Sequence, residues 1–139
     1  MGLQLTRGGE YALRGMSYLA GLPEGRIASL HEIGRAQDIP ESFLAKILQS
    51  LVHAGLATSH RGAHGGFALA LPADDISARA VVEAVDGPIA LNVCVLYPDE
   101  CERHGRCHMH DAWVDAQERM MSVLDAVSLA SLKDEAPVS

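Results

Sequence analysis

The sequence lacks the features that would mark a membrane protein or a familiar enzyme. It has no apolar run of about 18 residues, so no segment predicts a transmembrane helix. The stretch MGLQLTRGGEYALRG has neither the apolar centre nor the cleavage site of a signal peptide, so we expect a soluble, cytoplasmic protein. A nucleotide-binding glycine motif and a credible Ser/His/Asp combination are also missing. We therefore expect no enzymatic activity.

Cysteine is scarce, and all of it lies in one place. The three residues, Cys94, Cys101 and Cys107, fall within CVLYPDECERHGRCHMH with the spacing C-x6-C-x5-C, and His110 follows three residues later. Three thiols in a reducing compartment indicate metal or redox chemistry more than a structural disulfide. The flanking charged and turn-forming residues favour thiols that solvent can reach.

Three chemical interpretations of these thiols remain open. Thiolates with one imidazole select zinc or an iron–sulphur cluster. Zinc sites usually contain closely spaced C-x2-4-C pairs, which this sequence lacks, so its longer spacings favour a cluster, either 2Fe-2S or 4Fe-4S. A zinc site is the runner-up, and a thiol redox switch is the third interpretation.

Negative charge is concentrated in one half of the chain. The net charge is −7, yet residues 1–61 contain six Lys/Arg against five Asp/Glu, and residues 62–139 contain five against thirteen. Because local potential governs phosphate binding, this asymmetry permits DNA binding by the first half.

Apolar periodicity predicts three helices in the first half. They cover about 10–22, 30–36 and 41–54; Ser29 with Glu32 forms a capping box before the second, and Pro40 suits the first turn of the third. In the third helix six apolar residues repeat at helical spacing: Phe43, Leu44, Ile47, Leu48, Leu51 and Val52. The polar residues Glu41, Ser42, Lys46 and Gln49 share its opposite face.

Two short alternating segments, LATSH and FALAL, follow the third helix and are joined by RGAHGG, a hairpin signal. Three helices followed by such a hairpin predict a mainly α protein with a winged helix-turn-helix and a two-stranded wing. A major groove admits one helix, so the polar face of the third helix is the predicted base-reading surface. Arg61 and His64 at the wing tip could enter the adjacent minor groove.

The remaining chain predicts a helix capped by Ser77, then the cysteine segment, then a long helix from Asp111 to about Val127. A narrow apolar stripe follows the long helix, as in a coiled-coil seam: Trp113, Ala116, Met120, Val123 and Val127. We expect a DNA-binding domain over 1–87, a cysteine segment over 88–110, a dimerisation helix with a C-terminal segment over 111–132, and a polar tail over 133–139.

Taken in order, these motifs resemble the Rrf family of bacterial winged-helix regulators. The resemblance runs from EYALRGMSYLA through IPESFLAKILQSLVHAGL and RGAHGGFAL to the three cysteines with HMH and DAW. It implies a homodimeric repressor that reads a pseudo-palindromic operator, and a cluster on the three cysteines that senses iron, redox state or nitric oxide. The first cysteine gap is six residues where five is commoner, so the cluster type does not carry over.

The resemblance leaves two positions for a fourth cluster ligand. His110 matches the histidine that some members use. Glu10 matches the position from which other members supply a carboxylate of the partner subunit. His104 and His108 match no family ligand and are interpreted as exposed loop residues.

Overall fold

The computed structural model describes residues 6–90 and 109–132. Its helices are α1 (Arg7–Gly21), α2 (Leu30–Gln37), α3 (Glu41–His53), α4 (Ala78–Asp86), α5 (His110–Ala126) and α6 (Leu129–Leu132). The strands β1 (Ala57–His60) and β2 (Gly66–Leu69) form one antiparallel pair, and a single 3-10 turn covers Ala73–Asp75. This confirms the mainly α class and the winged helix-turn-helix order of elements. Within the described residues, no helix is long and apolar enough to cross a membrane.

Helix α1 begins three residues before its predicted start. The hydroxyl of Thr6 accepts a hydrogen bond from the Gly9 amide at 3.0 Å, which is the standard N-terminal cap. The same hydroxyl donates to the carboxylate of Asp86 at 2.6 Å, and so ties the start of α1 to the end of α4. The sequence interpretation missed this start because Gly8 and Gly9 are poor helix formers.

Only half of the predicted capping box forms at α2. The Ser29 hydroxyl accepts from the Glu32 amide at 3.0 Å, as expected. The Glu32 carboxylate, however, accepts hydrogen bonds from the two terminal guanidinium nitrogens of Arg26, at 2.9 and 3.0 Å, and from the Tyr18 hydroxyl at 2.6 Å. Burial, followed by the hydrogen bond to Glu32, raises the pKa of Tyr18. A bidentate arginine is a stronger partner than one backbone amide, so the carboxylate links α1 to α2 instead.

The turn between α2 and α3 is tight. Asp38 ends α2 in the left-handed region, with φ of 54°. A Cβ at Gly34 would lie 2.9 Å from the Ile39 carbonyl oxygen, so only glycine permits this close approach. Both features fix the angle at which α3 leaves the turn.

Besides the two strands, the short backbone segment before α2 also pairs with the wing. Ala28, just before α2, exchanges two hydrogen bonds with Phe67 of β2, at 3.0 and 2.8 Å. A Cβ at Gly66 would lie 2.1 Å from the Ala28 carbonyl oxygen, so this glycine is required by the chain's own packing. Strand β2 of the wing is therefore attached to the segment that leads into the helix-turn-helix.

The core lies where α1, α2, α3 and α4 meet. Its largest fully buried side chains are Met16, Ile33, Leu44, Leu48, Leu51, Ile76, Val81 and Leu129. Burial of apolar side chains like these stabilises a domain of this size more than any other interaction. The helical periodicity of α3 predicted Leu44, Leu48 and Leu51 correctly.

The C-terminal helices return to the first domain. Helix α5 packs on α4, and Met121 is its one buried residue. After α5, the backbone at 127–129 pairs with the backbone at 76–78, just before and at the start of α4. The Ala78 amide donates to the Val127 carbonyl at 2.8 Å, and the Leu129 amide to the Ile76 carbonyl at 2.9 Å. The sequence pattern did not predict this pairing, and Met121 lies beside the predicted stripe, not in it.

Candidate nucleic-acid interface

The two faces of α3 have opposite characters. Leu44, Leu48 and Leu51 are fully buried against the core. Ser42, Lys46 and Gln49 are exposed on the other side of the same helix. With about 100° of rotation per residue, these three polar side chains point in nearly one direction, away from the core. A helix with one buried face and a polar outer face of hydrogen-bonding side chains is suited to a major groove.

Glu41, at the start of α3, interacts with a side chain of α2. Its carboxylate lies 3.2 Å from the Nδ1 atom of His31, and both side chains are more than half exposed. Glu41 is the one carboxylate among the predicted DNA-contacting residues, and a carboxylate can accept a hydrogen bond from the cytosine amino group. His31 therefore limits how freely this carboxylate can approach DNA.

Phe43 was predicted to belong to the apolar face of α3, and half of its side chain is exposed. Its ring meets the edge of Tyr11 on α1, with 6.1 Å between ring centroids and an interplanar angle of 80°. One residue before Leu44, Phe43 is rotated by about 100° from the core and lies at the border of the apolar face. Periodicity alone could not separate this border position from a buried one.

The tip of the wing is fully accessible. Arg61, Gly62, Ala63 and His64 are all exposed, and they form the turn between His60 and Gly66, the last residue pair of the two strands. Gly62 has a φ of 110°, and no atom lies within 4 Å of the position that its Cβ would occupy. Its role is therefore conformational: it forms the turn that presents Arg61 and His64 to solvent.

A groove of about 380 Å³ runs beside α3, and Gly8 of α1 and Val85 of α4 form its opposite wall. Ser42, Phe43 and Lys46 line its α3 side. The groove thus continues the exposed surface of α3 towards the start of α1.

The family model that matches this arrangement covers residues 5–135 and describes Rrf2, an iron-dependent transcriptional regulator. The chain belongs to the Rrf2 family. Its members are transcriptional regulators that bind DNA and are not enzymes.

Solved structures similar to this chain include Rrf2 regulators of two kinds. The global cysteine regulator CymR of B. subtilis is 31% identical, with a TM-score of 0.75 over 94% of this chain and 95% of that one. An oxidized form of CymR from Staphylococcus aureus is 25% identical, with a TM-score of 0.71 over 97% and 99%. IscR of T. potens is 26% identical, with a TM-score of 0.73 over 95% and 87%.

The predicted Rrf2 cluster ligands lie partly outside the described residues. Cys94, Cys101 and Cys107 lie outside them, as do His104 and His108, while Glu10 and His110 lie inside. Among residues 6–90 and 109–132, no group of three or more His, Cys, Asp or Glu side chains could hold a metal ion.

Glu10 is an accessible carboxylate in the first turn of α1. It is 58% exposed, and its interaction with Arg14 spans 3.8 Å, which is too long for a hydrogen bond. Arg14 instead donates to the Gln37 carbonyl at the end of α2 and lies over the Tyr11 ring, 5.4 Å from its centroid. Glu10 could therefore leave Arg14 at little energetic cost, and its chemistry fits a ligand position.

His110 is the first residue of α5 and is half-buried. It follows the cysteine segment directly and has contacts of its own in the structure. An imidazole is an accepted ligand beside thiolates, so this residue also fits the donor set. The described residues thus contain two chemically suitable fourth ligands on different elements.

Proposed function

We propose that the protein is a homodimeric repressor of the cytoplasm that binds a pseudo-palindromic operator and senses iron, redox state or nitric oxide through an iron–sulphur cluster. The single observation that supports DNA reading best is the exposed polar face of α3 beside an accessible wing. Family membership supplies the class of regulator, and the remaining statements are argued from this chain's residues.

In the proposed complex, α3 enters the major groove and the wing follows the adjacent backbone. Ser42, Lys46 and Gln49 contact base edges, and Glu41 accepts from a base once His31 has released it. Arg61 and His64 contact the backbone and the minor groove. The phosphate contacts provide most of the affinity, while the α3 contacts provide the preference for one sequence.

The dimer in this proposal forms through α5. Val123 is 63% exposed, although it is apolar and lies in the predicted stripe. The other stripe members, Trp113, Ala116, Met120 and Val127, are half-buried, so this face has apolar area left to cover. A second α5 with the same stripe is a matching partner, and a twofold dimer places two α3 helices for a pseudo-palindromic site.

The proposed cluster is held by Cys94, Cys101 and Cys107 with Glu10 of the partner subunit or His110 as fourth ligand. When bound, it supplies iron that responds to oxygen, nitric oxide or iron shortage. A carboxylate or imidazole ligand is displaced from such iron more easily than a thiolate, which suits a sensor. We favour Glu10, because α1 contacts both α2 and α3 and would transmit a change at Glu10 to the DNA-binding surface.

An ultraviolet–visible spectrum of protein purified without oxygen tests the cluster. We expect broad visible absorption with iron and sulphide present, and loss of that absorption in Cys94→Ala, Cys101→Ala and Cys107→Ala, because each missing thiolate leaves iron open to hydrolysis. A colourless wild-type protein would contradict the cluster.

Two further variants identify the fourth ligand. If Glu10 is the ligand, Glu10→Ala changes the spectrum strongly and His110→Ala does not. If His110 is the ligand, the two results are reversed. Glu24→Ala, which removes an exposed carboxylate just beyond α1, is the matched control and should leave the spectrum unchanged. Unchanged spectra in all three variants would exclude both assignments.

A second candidate is a regulator of the same fold that works without a cluster, through structural zinc or through thiol oxidation. The similarity to CymR supports this second candidate, because CymR is described as a cysteine regulator and has also been solved in an oxidized form. This candidate predicts a colourless protein. Stoichiometric zinc would indicate the metal form, and oxidant-dependent DNA binding that dithiothreitol reverses would indicate the thiol switch.

A further inference from the structure

The backbone of Ile89 is held on both sides by side chains from two different helices. Its amide donates to the Glu83 carboxylate of α4 at 3.0 Å. Its carbonyl accepts from the Gln117 side-chain amide of α5 at 2.6 Å. About two-thirds of the hydrogen bonds in a protein join one backbone group to another, so two side-chain partners for the backbone of one residue form a specific attachment.

The Glu83 carboxylate is itself oriented by its neighbours. Its Oε1 atom accepts from the Arg79 Nε atom at 3.0 Å, which leaves Oε2 for the Ile89 amide. Arg79 also donates to the Asp125 carboxylate of α5 at 3.0 Å. The same network therefore joins α4 to α5 and fixes the acceptor that holds Ile89.

The position of Ile89 gives this attachment its significance. Ile89 lies at the start of the cysteine segment, five residues before Cys94, so an extended chain could carry Cys94 at most about 17 Å away. Gln117 lies seven residues after His110 on α5, or about 10 Å along the helix. The attachment thus fixes, on α4 and α5, the point from which the cysteine segment starts.

We propose that Glu83 and Gln117 are positioning residues that fix the start of the cysteine segment on α4 and α5 and thereby keep Cys94 within reach of the other cluster ligands. The proposal rests on the proposed function for its cluster part, whereas the attachment of Ile89 stands without it. Neither residue is a ligand: each acts through the backbone of Ile89.

Gln117→Glu is the sharpest variant, because it keeps the shape of the side chain and removes the donor to the Ile89 carbonyl. Arg119→Gln is the matched control: it lies on the same helix, is 80% exposed and changes the charge by the same amount. Gln117→Lys restores a donor with the opposite charge. Thermal unfolding of all three variants checks that they fold.

One measurement reports on the attachment of Ile89, and a second reports on the stability of the cluster. Hydrogen exchange of the Ile89 amide, followed by mass spectrometry in protein without a cluster, should be about fivefold faster in Gln117→Glu, in line with the loss of one hydrogen bond. Bleaching of the visible absorption by an iron chelator should be about three- to tenfold faster in the same variant. Arg119→Gln should match the wild type in both, and Gln117→Lys should lie closer to wild type than to Gln117→Glu.

The outcomes separate this inference from the proposed function. A colourless wild-type protein would contradict the cluster and the role of the attachment in holding it, while the exchange measurement would still test the attachment. Normal colour with equal exchange and bleaching in Gln117→Glu and Arg119→Gln would overturn the inference alone. Equal effects of Gln117→Lys and Gln117→Glu would also overturn it, since the donor would then be irrelevant.

Discussion

The winged helix-turn-helix and the long helix α5 are built in different ways. In the first, apolar side chains from four helices and the wing converge, and seven of the eight largest fully buried side chains belong to this region. In α5, seventeen residues long, Met121 alone is buried within the described residues. The first region is stabilised by its own chain, whereas α5 keeps an apolar face that its own chain covers only in part.

This contrast is the reason for proposing that one region carries the DNA-reading surface and the other forms the dimer. A base-reading helix must be held rigidly, and α3 is held by Leu44, Leu48 and Leu51. A helix that is to pair with a second copy must leave apolar area uncovered, as Val123 does. Four predictions test the contrast, from the largest expected effect to the smallest.

Leu51→Ala should lower the free energy of unfolding by about 3 kcal/mol, because it leaves a cavity in a fully buried part of the core. Urea unfolding measures the loss. The same change at Leu71, which is 44% exposed, should cost less than about 1 kcal/mol. Equal losses at the two positions would mean that the buried cluster does not dominate the stability of this region.

Val123→Glu should raise the dissociation constant of the dimer by about a hundredfold, since a charge would be buried in the interface without a partner. Ser122→Glu places the same charge on the neighbouring exposed position and should leave the dimer intact. Analytical ultracentrifugation over a concentration series gives both constants. A dimer that tolerates Val123→Glu would place the interface on another surface.

Arg61→Ala should weaken DNA binding by about tenfold for every sequence and lower the salt slope by about one, because one phosphate contact is lost. Fluorescence anisotropy in a salt titration measures both quantities. Arg119→Ala removes another exposed arginine, on α5, and should change neither. If both variants lose the same affinity, general positive charge and not the wing attracts the DNA.

Ser42→Ala should reduce the preference for one base pair of a selected operator by about fivefold, the equivalent of one hydrogen bond, with little loss of affinity for unrelated DNA. Competition binding with operator variants measures this preference. Ser122→Ala on α5 is the control. A uniform loss of affinity for all sequences would instead assign Ser42 to the phosphate backbone.

Much of the first region could be predicted because its signals are local. The spacing of Leu44, Leu48 and Leu51 gave the buried face of α3, and RGAHGG gave the turn of the wing. Two further expectations were wrong where side chains of different elements meet. Glu32 was assigned to Ser29, yet it binds Arg26 and Tyr18, and Phe43 was assigned to the core, yet it is half-exposed beside Tyr11.

The candidate cluster site is less complete. The cysteines and the choice between Glu10 and His110 came from spacing and resemblance, and they remain predictions, as do the domain limits at residues 87 and 110. The attachment of Ile89 has no sequence signal at all, because Glu83 and Gln117 are ordinary helical residues until folding places them on either side of the same peptide unit.

The sequence by itself determined the class of fold, the polar face of α3, the wing and the clustering of the thiols, since periodicity, glycine placement and residue spacing act over a few neighbours. Tertiary structure decided the contacts between distant segments: Ala28 with Phe67, Ala78 with Val127, and Ile89 between α4 and α5. Such contacts depend on the angles at which helices pack. No single stretch of sequence encodes those angles, because they follow from the best burial of all the apolar faces together.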